Sequence, residues 1–262
     1  MSSNLEGFQN ETDLISYLNN KTFGELNNNI TIFSSLDISI IGDGQGMTII
    51  DGKDVDWFLN ILAGNGIVKI ANMTIVNVTK NYVDAGLYNQ MPAISIENGA
   101  IVEIDNIEFI RCHGTEGGAI YSEGILSVNN SYFFNNGDSN NGAAIKNTGT
   151  LTVNNSTFIA NHAKFYSTIY NDGILLLEDS LIQDSMRVNG WTGNAMVIGG
   201  KGNITMINST ISRSGKTAMD LIRAGQSWAN NPGFAISIGS TGNVKVINST
   251  IDGNEIDVKY IK

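Results

Sequence analysis

The chain is short of cysteine, proline, positive charge and long apolar runs, and each shortage excludes something. One cysteine, Cys112, stands among 262 residues. That excludes an internal disulfide framework and a thiolate zinc cluster. Lys and Arg number 15 against 25 Asp and Glu, a net charge of −10. Nucleic acid is therefore not an expected partner, because phosphate recognition needs concentrated positive charge. An electrostatic grip on anionic lipid is disfavoured on the same ground. No run of 18 apolar residues occurs, so membrane insertion of this segment is not expected. The opening residues Met1 to Asn4 have neither the basic end nor the apolar stretch of a signal peptide. Charged residues make up 15% of the chain, where about a quarter is usual.

What replaces charge is neutral polarity. There are 35 Asn and 29 Gly beside 36 Ile. Glycine has no period of three, so collagen is excluded. Apolar residues make up 42% of the chain and are spread along it, which argues against disorder.

The arrangement is a repeat. Seven segments carry a polar residue followed three positions later by an apolar one. The polar marks are Asn72, Asn106, Asn130, Asn155, Asp179, Asn208 and Asn248, and the spacing is as short as 24 or 25 residues. Apolar residues stand two and four positions upstream of every mark, from Ile70 and Val68 to Val246 and Val244. A glycine opens six of the runs: Gly66, Gly124, Gly149, Gly173, Gly202 and Gly242. A second column reads small-then-apolar: Ala93-Ile94, Ala119-Ile120, Ala144-Ile145, Thr168-Ile169, Ala195-Met196 and Ala235-Ile236. A spacing of two is strand periodicity. Two or three short strands per 24-residue unit leave no room for a helix in each repeat.

The expected fold is all-β: a right-handed parallel β-helix of about eight coils over residues 36–262. Residues 1–35 are expected to form a cap, with a short helix around Leu14, Ile15 and Leu18. No cap is evident at the far end, so a fragment of a longer protein is expected. The Asn column has a physical reason. Asn tolerates the left-handed backbone of a tight turn, and stacked amides can hydrogen-bond from coil to coil. Asp179 can accept in such a ladder but not donate.

Gly117-Gly-Ala-Ile120 followed by Phe133-Phe-Asn-Asn136 resembles the GGAI/FxxN repeats of polymorphic outer-membrane proteins, as does Gly142-Ala-Ala-Ile145 followed by Phe158-Ile-Ala-Asn161. The stretch Ile38 to Gly52 is similar to the opening coils of pectin-lyase-like β-helices. The Ile- and Asn-rich texture resembles adhesin-like surface proteins of methanogenic archaea. The resemblance covers roughly residues 30 to 255. It implies an extracellular or cell-surface location and binding rather than catalysis. The fold itself does not fix an activity.

Catalytic motifs of lyases and hydrolases on this fold are not matched. Pro92 and Pro232 lie outside any Arg-x-Pro-x-x-Arg segment. No catalytic residue is assigned and no cofactor is expected. Asp51, Asp54 and Asp56 could turn oxygens toward Ca²⁺, but a solvated turn accounts for them as well. His113 and His162 fall in one column two coils apart, about 10 Å by strand spacing, with Gly137 between. At that separation they would not share a metal ion. Cys112 reads as structural.

The repeat is interrupted at one corner. From apolar mark to the next small–apolar pair, short coils take 11 or 12 residues; three others take 19, 14 and 25. These insertions carry Tyr82, Tyr88, Arg187, Trp191, Arg223 and Trp228. Insertions on one face of a solenoid are often its binding face, and aromatics with Arg suit sugars or protein hot spots. The alternative is that Trp191 and Trp228 pin their own loops. The reading is a non-catalytic surface module that binds a glycan or protein. A carbohydrate-active enzyme and a structural stalk are the other two.

Overall fold

The computed structural model describes residues 23–25, 30–33, 36–52, 57–64, 66–78, 91–163, 168–187, 196–212, 214, 234–238 and 241–252. Every strand pairing among them is parallel, and no helix occurs among them. The chain is a β-solenoid. No helix of the described residues is long and apolar enough to cross a membrane. The helix expected around Leu14 lies outside the described residues. Stacking is already present at Phe23–Glu25 and Ile30–Ile32, which pair with Ile49–Asp51 and Leu59–Ile61.

Each coil lays strands on up to three faces. The first face is a 15-stranded sheet crossed twice per coil, as by Ile125–Asn129 and then Tyr132–Phe134. The third face holds His113–Glu116, Gly137–Asn141, His162–Ala163 and Met186–Arg187. The chain then enters the eight-stranded second face, for example at Ile120–Ser122, Ile145–Asn147 and Ile169–Asn171.

Alternate residues point inward, and stacking puts like on like. Val68, Val102, Leu126, Leu151, Leu175, Ile204 and Val244 form one register column on the first face. Further along the same face, beyond the Asn turn, Phe109, Phe133 and Phe158 stack with centroids 4.9 and 4.5 Å apart, close to the strand spacing itself.

The repeat motifs have separate physical causes. All seven polar marks adopt positive φ, between 46° and 59°. Asn72 accepts from the Asn106 amide at 2.8 Å, and Asn130 from that of Asn155 at 2.7 Å. The ladder is not continuous, because Asn130 donates instead to Asp105. Asn130, Asn155, Asp179, Asn208 and Asn248 are exposed, so the column serves the turn at the surface rather than a buried polar core. The opening glycines answer to space. A Cβ on Gly173 would lie 2.0 Å from the Gly149 carbonyl oxygen, and one on Gly149 2.1 Å from that of Gly124. No side chain fits between these coils.

The inward Asn of FxxN builds the buried ladder. The Asn136 side chain accepts from the Cys112 backbone N–H and donates to Asn161 and to the Phe109 carbonyl. Ser185 and Ser214 continue the same column, the Ser185 N–H donating to the Ser214 hydroxyl. A second buried ladder follows the Asn marks. The backbone N–H groups of Ser131, Ser156, Ser180 and Ser209 each donate to the serine hydroxyl one coil on.

One sequence alignment is corrected. Ile169 pairs with Ile198, not Met196, and Met196 pairs with Phe234. The small–apolar pair of that coil is therefore Val197-Ile198, both buried. Its insertion is two residues longer than the Ala195-Met196 match implied. The strand Met196–Gly200 starts one pleat early, which put a similar-looking pair ahead of the true one.

Candidate functional site

Of the loop-face residues expected from sequence, Tyr82, Tyr88, Trp191, Arg223 and Trp228 lie outside the described residues. Arg187 is placed by its backbone, on the third face in register with Ala163. Asp54 and Asp56 also lie outside the described residues. Asp51 accepts a hydrogen bond from the Asn77 amide at 3.2 Å. Among the described residues there is no cluster of three or more His, Cys, Asp or Glu able to hold a metal ion.

By sequence length the insertions comprise residues 79–90, between Val78 and Met91, and residues 188–195, between Arg187 and Met196. Three short coils lie between them. The tight corners of the first two are set by Gly117 and Gly142, with φ of 76° and 80°. The short coils present Tyr121, Lys146 and Tyr170 in one register column on the outer surface of the second face. Each follows the inward isoleucine of the small–apolar pair, so strand alternation turns it outward.

The column is chemically organised. Lys146 Nζ lies 5.4 Å from the Tyr121 ring centroid and 5.8 Å from that of Tyr170. This is cation–π range on both sides. The same ammonium pairs with Glu116 at 2.5 Å. Glu116 also accepts from the Asn140 amide at 3.1 Å. Tyr121 donates its hydroxyl to Glu123 at 2.5 Å. Burial, and then the Glu123 carboxylate, push the Tyr121 hydroxyl up to about 12. Tyr121 is thus a fixed donor at neutral pH. The two tyrosines stand two coils apart, about 9.6 Å by strand spacing.

This column is absent from the sequence expectations: the repeat is marked there by the small–apolar pair, and the Tyr–Lys–Tyr set begins one position later. Extending the alignment by one residue would have exposed it.

Cys112 is fully buried and burial pushes its thiol up to about 12, as a structural cysteine requires. It points inward while His113 turns outward, so they form no nucleophile pair. The histidines themselves are closer than strand spacing implied. Their ring centroids are 5.6 Å apart, because both rings lean into the space above Gly137.

No family model matches the chain, and neither a curated protein nor a solved structure matches it.

Proposed function

We propose that this β-solenoid is a non-catalytic binding module of an adhesin-like surface protein, and that it takes a glycan at the corner where the insertions leave. The observation that carries the reading is the Tyr121–Lys146–Tyr170 column on the short coils between two insertions. Tyrosine rings offer flat apolar faces for sugar C–H groups. Glu116, Glu123 and Asn140 beside them offer hydrogen-bonding groups for hydroxyls. The insertions that leave at this corner carry further aromatics in sequence, Trp191 and Trp228 among them. The GGAI/FxxN resemblance supports the cell-surface setting.

An enzyme remains the second reading because Glu116 and Lys146 come from neighbouring coils and meet at one face. Binding is favoured by how those charges are committed. Lys146 is held between Glu116 and two rings, and Tyr121 is bonded to Glu123. A proton-transfer pair needs a group free to give or take a proton at working pH.

The test is one incubation with a panel of cell-wall and plant polysaccharides, with and without Ca²⁺. Retention on insoluble glycan, without release of unsaturated or reducing ends, is expected. Tyr121→Ala with Tyr170→Ala should abolish retention at unchanged thermal stability, and Trp191→Ala with Trp228→Ala should weaken it. Product release would establish the enzyme instead. Neither signal would sink the glycan reading and turn the search to protein partners or to a stalk role.

A further inference from the structure

We infer that His113 and His162 form a two-imidazole site for a divalent first-row transition ion such as Zn²⁺, Ni²⁺ or Cu²⁺, built on the third face over Gly137. The strands run in register, with His113 paired to Gly137 and Gly137 to His162. A glycine between two histidines leaves a gap the size of a side chain. The rings close over it. A Cβ on Gly137 would lie 2.7 Å from His113 Nδ1 and 2.7 Å from His162 Nε2. Two ring nitrogens therefore face one small volume, at most twice that distance apart.

The ring separation agrees with ligation. With metal–nitrogen bonds of about 2.1 Å, two imidazoles sharing one ion at a tetrahedral angle have centroids roughly 5.2 Å apart. The observed separation is 5.6 Å with the planes 59° apart, so small rotations close the site. Imidazole suits these ions, and it binds them in its neutral form. Burial holds both histidines below the usual range, with His162 adding to the effect at His113, so neither needs to shed a proton at neutral pH. A backbone hydrogen bond at Ala160 ties His162, the kind of contact that orients a ligating ring. Both rings are half-buried and open to solvent on one side. The remaining coordination positions would face outward, toward water or a donor from a partner.

The chain has two histidines, so imidazole ligation can be assigned without ambiguity. Calorimetric titration of the full chain with Zn²⁺, and separately with Ni²⁺, should give one ion per chain. His113→Gln and His162→Gln should each weaken binding at least tenfold. Gly137→Ala, which puts a methyl between the rings, should do the same with both histidines kept. Thermal unfolding without metal reports whether each variant folds; if Gly137→Ala does not, the two Gln variants decide. The inference is overturned if the natural sequence shows no saturable binding, or if binding survives replacement of both histidines.

Discussion

Two asparagine columns run along this solenoid, and the same residue does different work in each. Asn155, Asn208 and Asn248 are exposed, and their backbones sit at φ of 46°, 48° and 47°. There the amide matters little beyond making a left-handed turn tolerable. Asn136 and Asn161 are buried. Their side chains satisfy backbone groups of neighbouring coils that have no water to turn to. The lesson is that a stacked repeat amplifies whichever property the position needs, conformation at the surface or hydrogen bonding inside. Substitutions should separate the two columns by size of effect.

The largest loss is expected at the buried column. Asn136→Ala strands the Cys112 N–H, takes a donor from the Phe109 carbonyl and ends the bond to Asn161. Each stranded buried group costs about 1–3 kcal/mol, so a loss of about 3 kcal/mol or more in urea unfolding is expected. A change under about 1 kcal/mol would show that water replaces the amide, and the contrast between columns would fail.

The third face adds a pH dependence that neither Asn column has. Unfolded histidine titrates near 6.5, whereas burial holds His113 in the fold down to about 4. Between those values the unfolded chain binds a proton that the folded chain refuses. Stability therefore falls as pH drops through 6.5 and this contribution levels off below about 4. The loss from His113 is on the order of 3 kcal/mol. Unfolding midpoints from pH 7 to 4, compared with those of His113→Gln, isolate it from the carboxylates. A slope identical in both proteins would refute the assignment.

The exposed column should respond less. Asn208→Ala keeps the turn but puts Ala at φ 48°, at a cost of about 1 kcal/mol. Asn208→Gly should be nearly neutral by the same measurement, since glycine enters this region freely. If Gly were as damaging as Ala, the side chain rather than the backbone would be what the position needs.

These contrasts mark how far the sequence could be read. The coil period, the inward columns and the positive-φ turn at every mark were legible, because stacking repeats the same demand every 24 or so residues. The division of labour between Asn130 and Asn136 was not, since both are simply Asn near a strand end. Met196 was misplaced because a small–apolar pair recurs by chance one pleat from the real one. The His113–His162 distance was overestimated because backbone spacing says nothing of rings leaning over a glycine. Tyr121, Lys146 and Tyr170 lie one position beyond the small–apolar pair, where the core no longer dictates residue type and the repeat stops announcing itself. Apart from Arg187, which belongs to a third-face strand, the expected loop-face residues fall in insertions, which by definition break the repeat that made the rest readable.

The smallest effect tests the conformational half of the comparison with the sign reversed. Five residues after the Asn marks the chain turns again, and here the residues are not uniform: Asn77, Arg111, Asn135, Ala160 and Asp184 all have positive φ. Ala160 has φ 56° and no side-chain amide to ease it. A left-handed residue with a Cβ costs about 1–2 kcal/mol, while glycine loses about 0.5–1 kcal/mol in extra chain entropy. Ala160→Gly should therefore stabilise the solenoid, by about 0.5–1 kcal/mol in urea unfolding. Removing a methyl from a packed repeat would ordinarily weaken it. A gain here would mean that the second turn is held in place by the ladders on either side against its own preference. A loss would mean that the Ala160 methyl packs well enough to outweigh the strain.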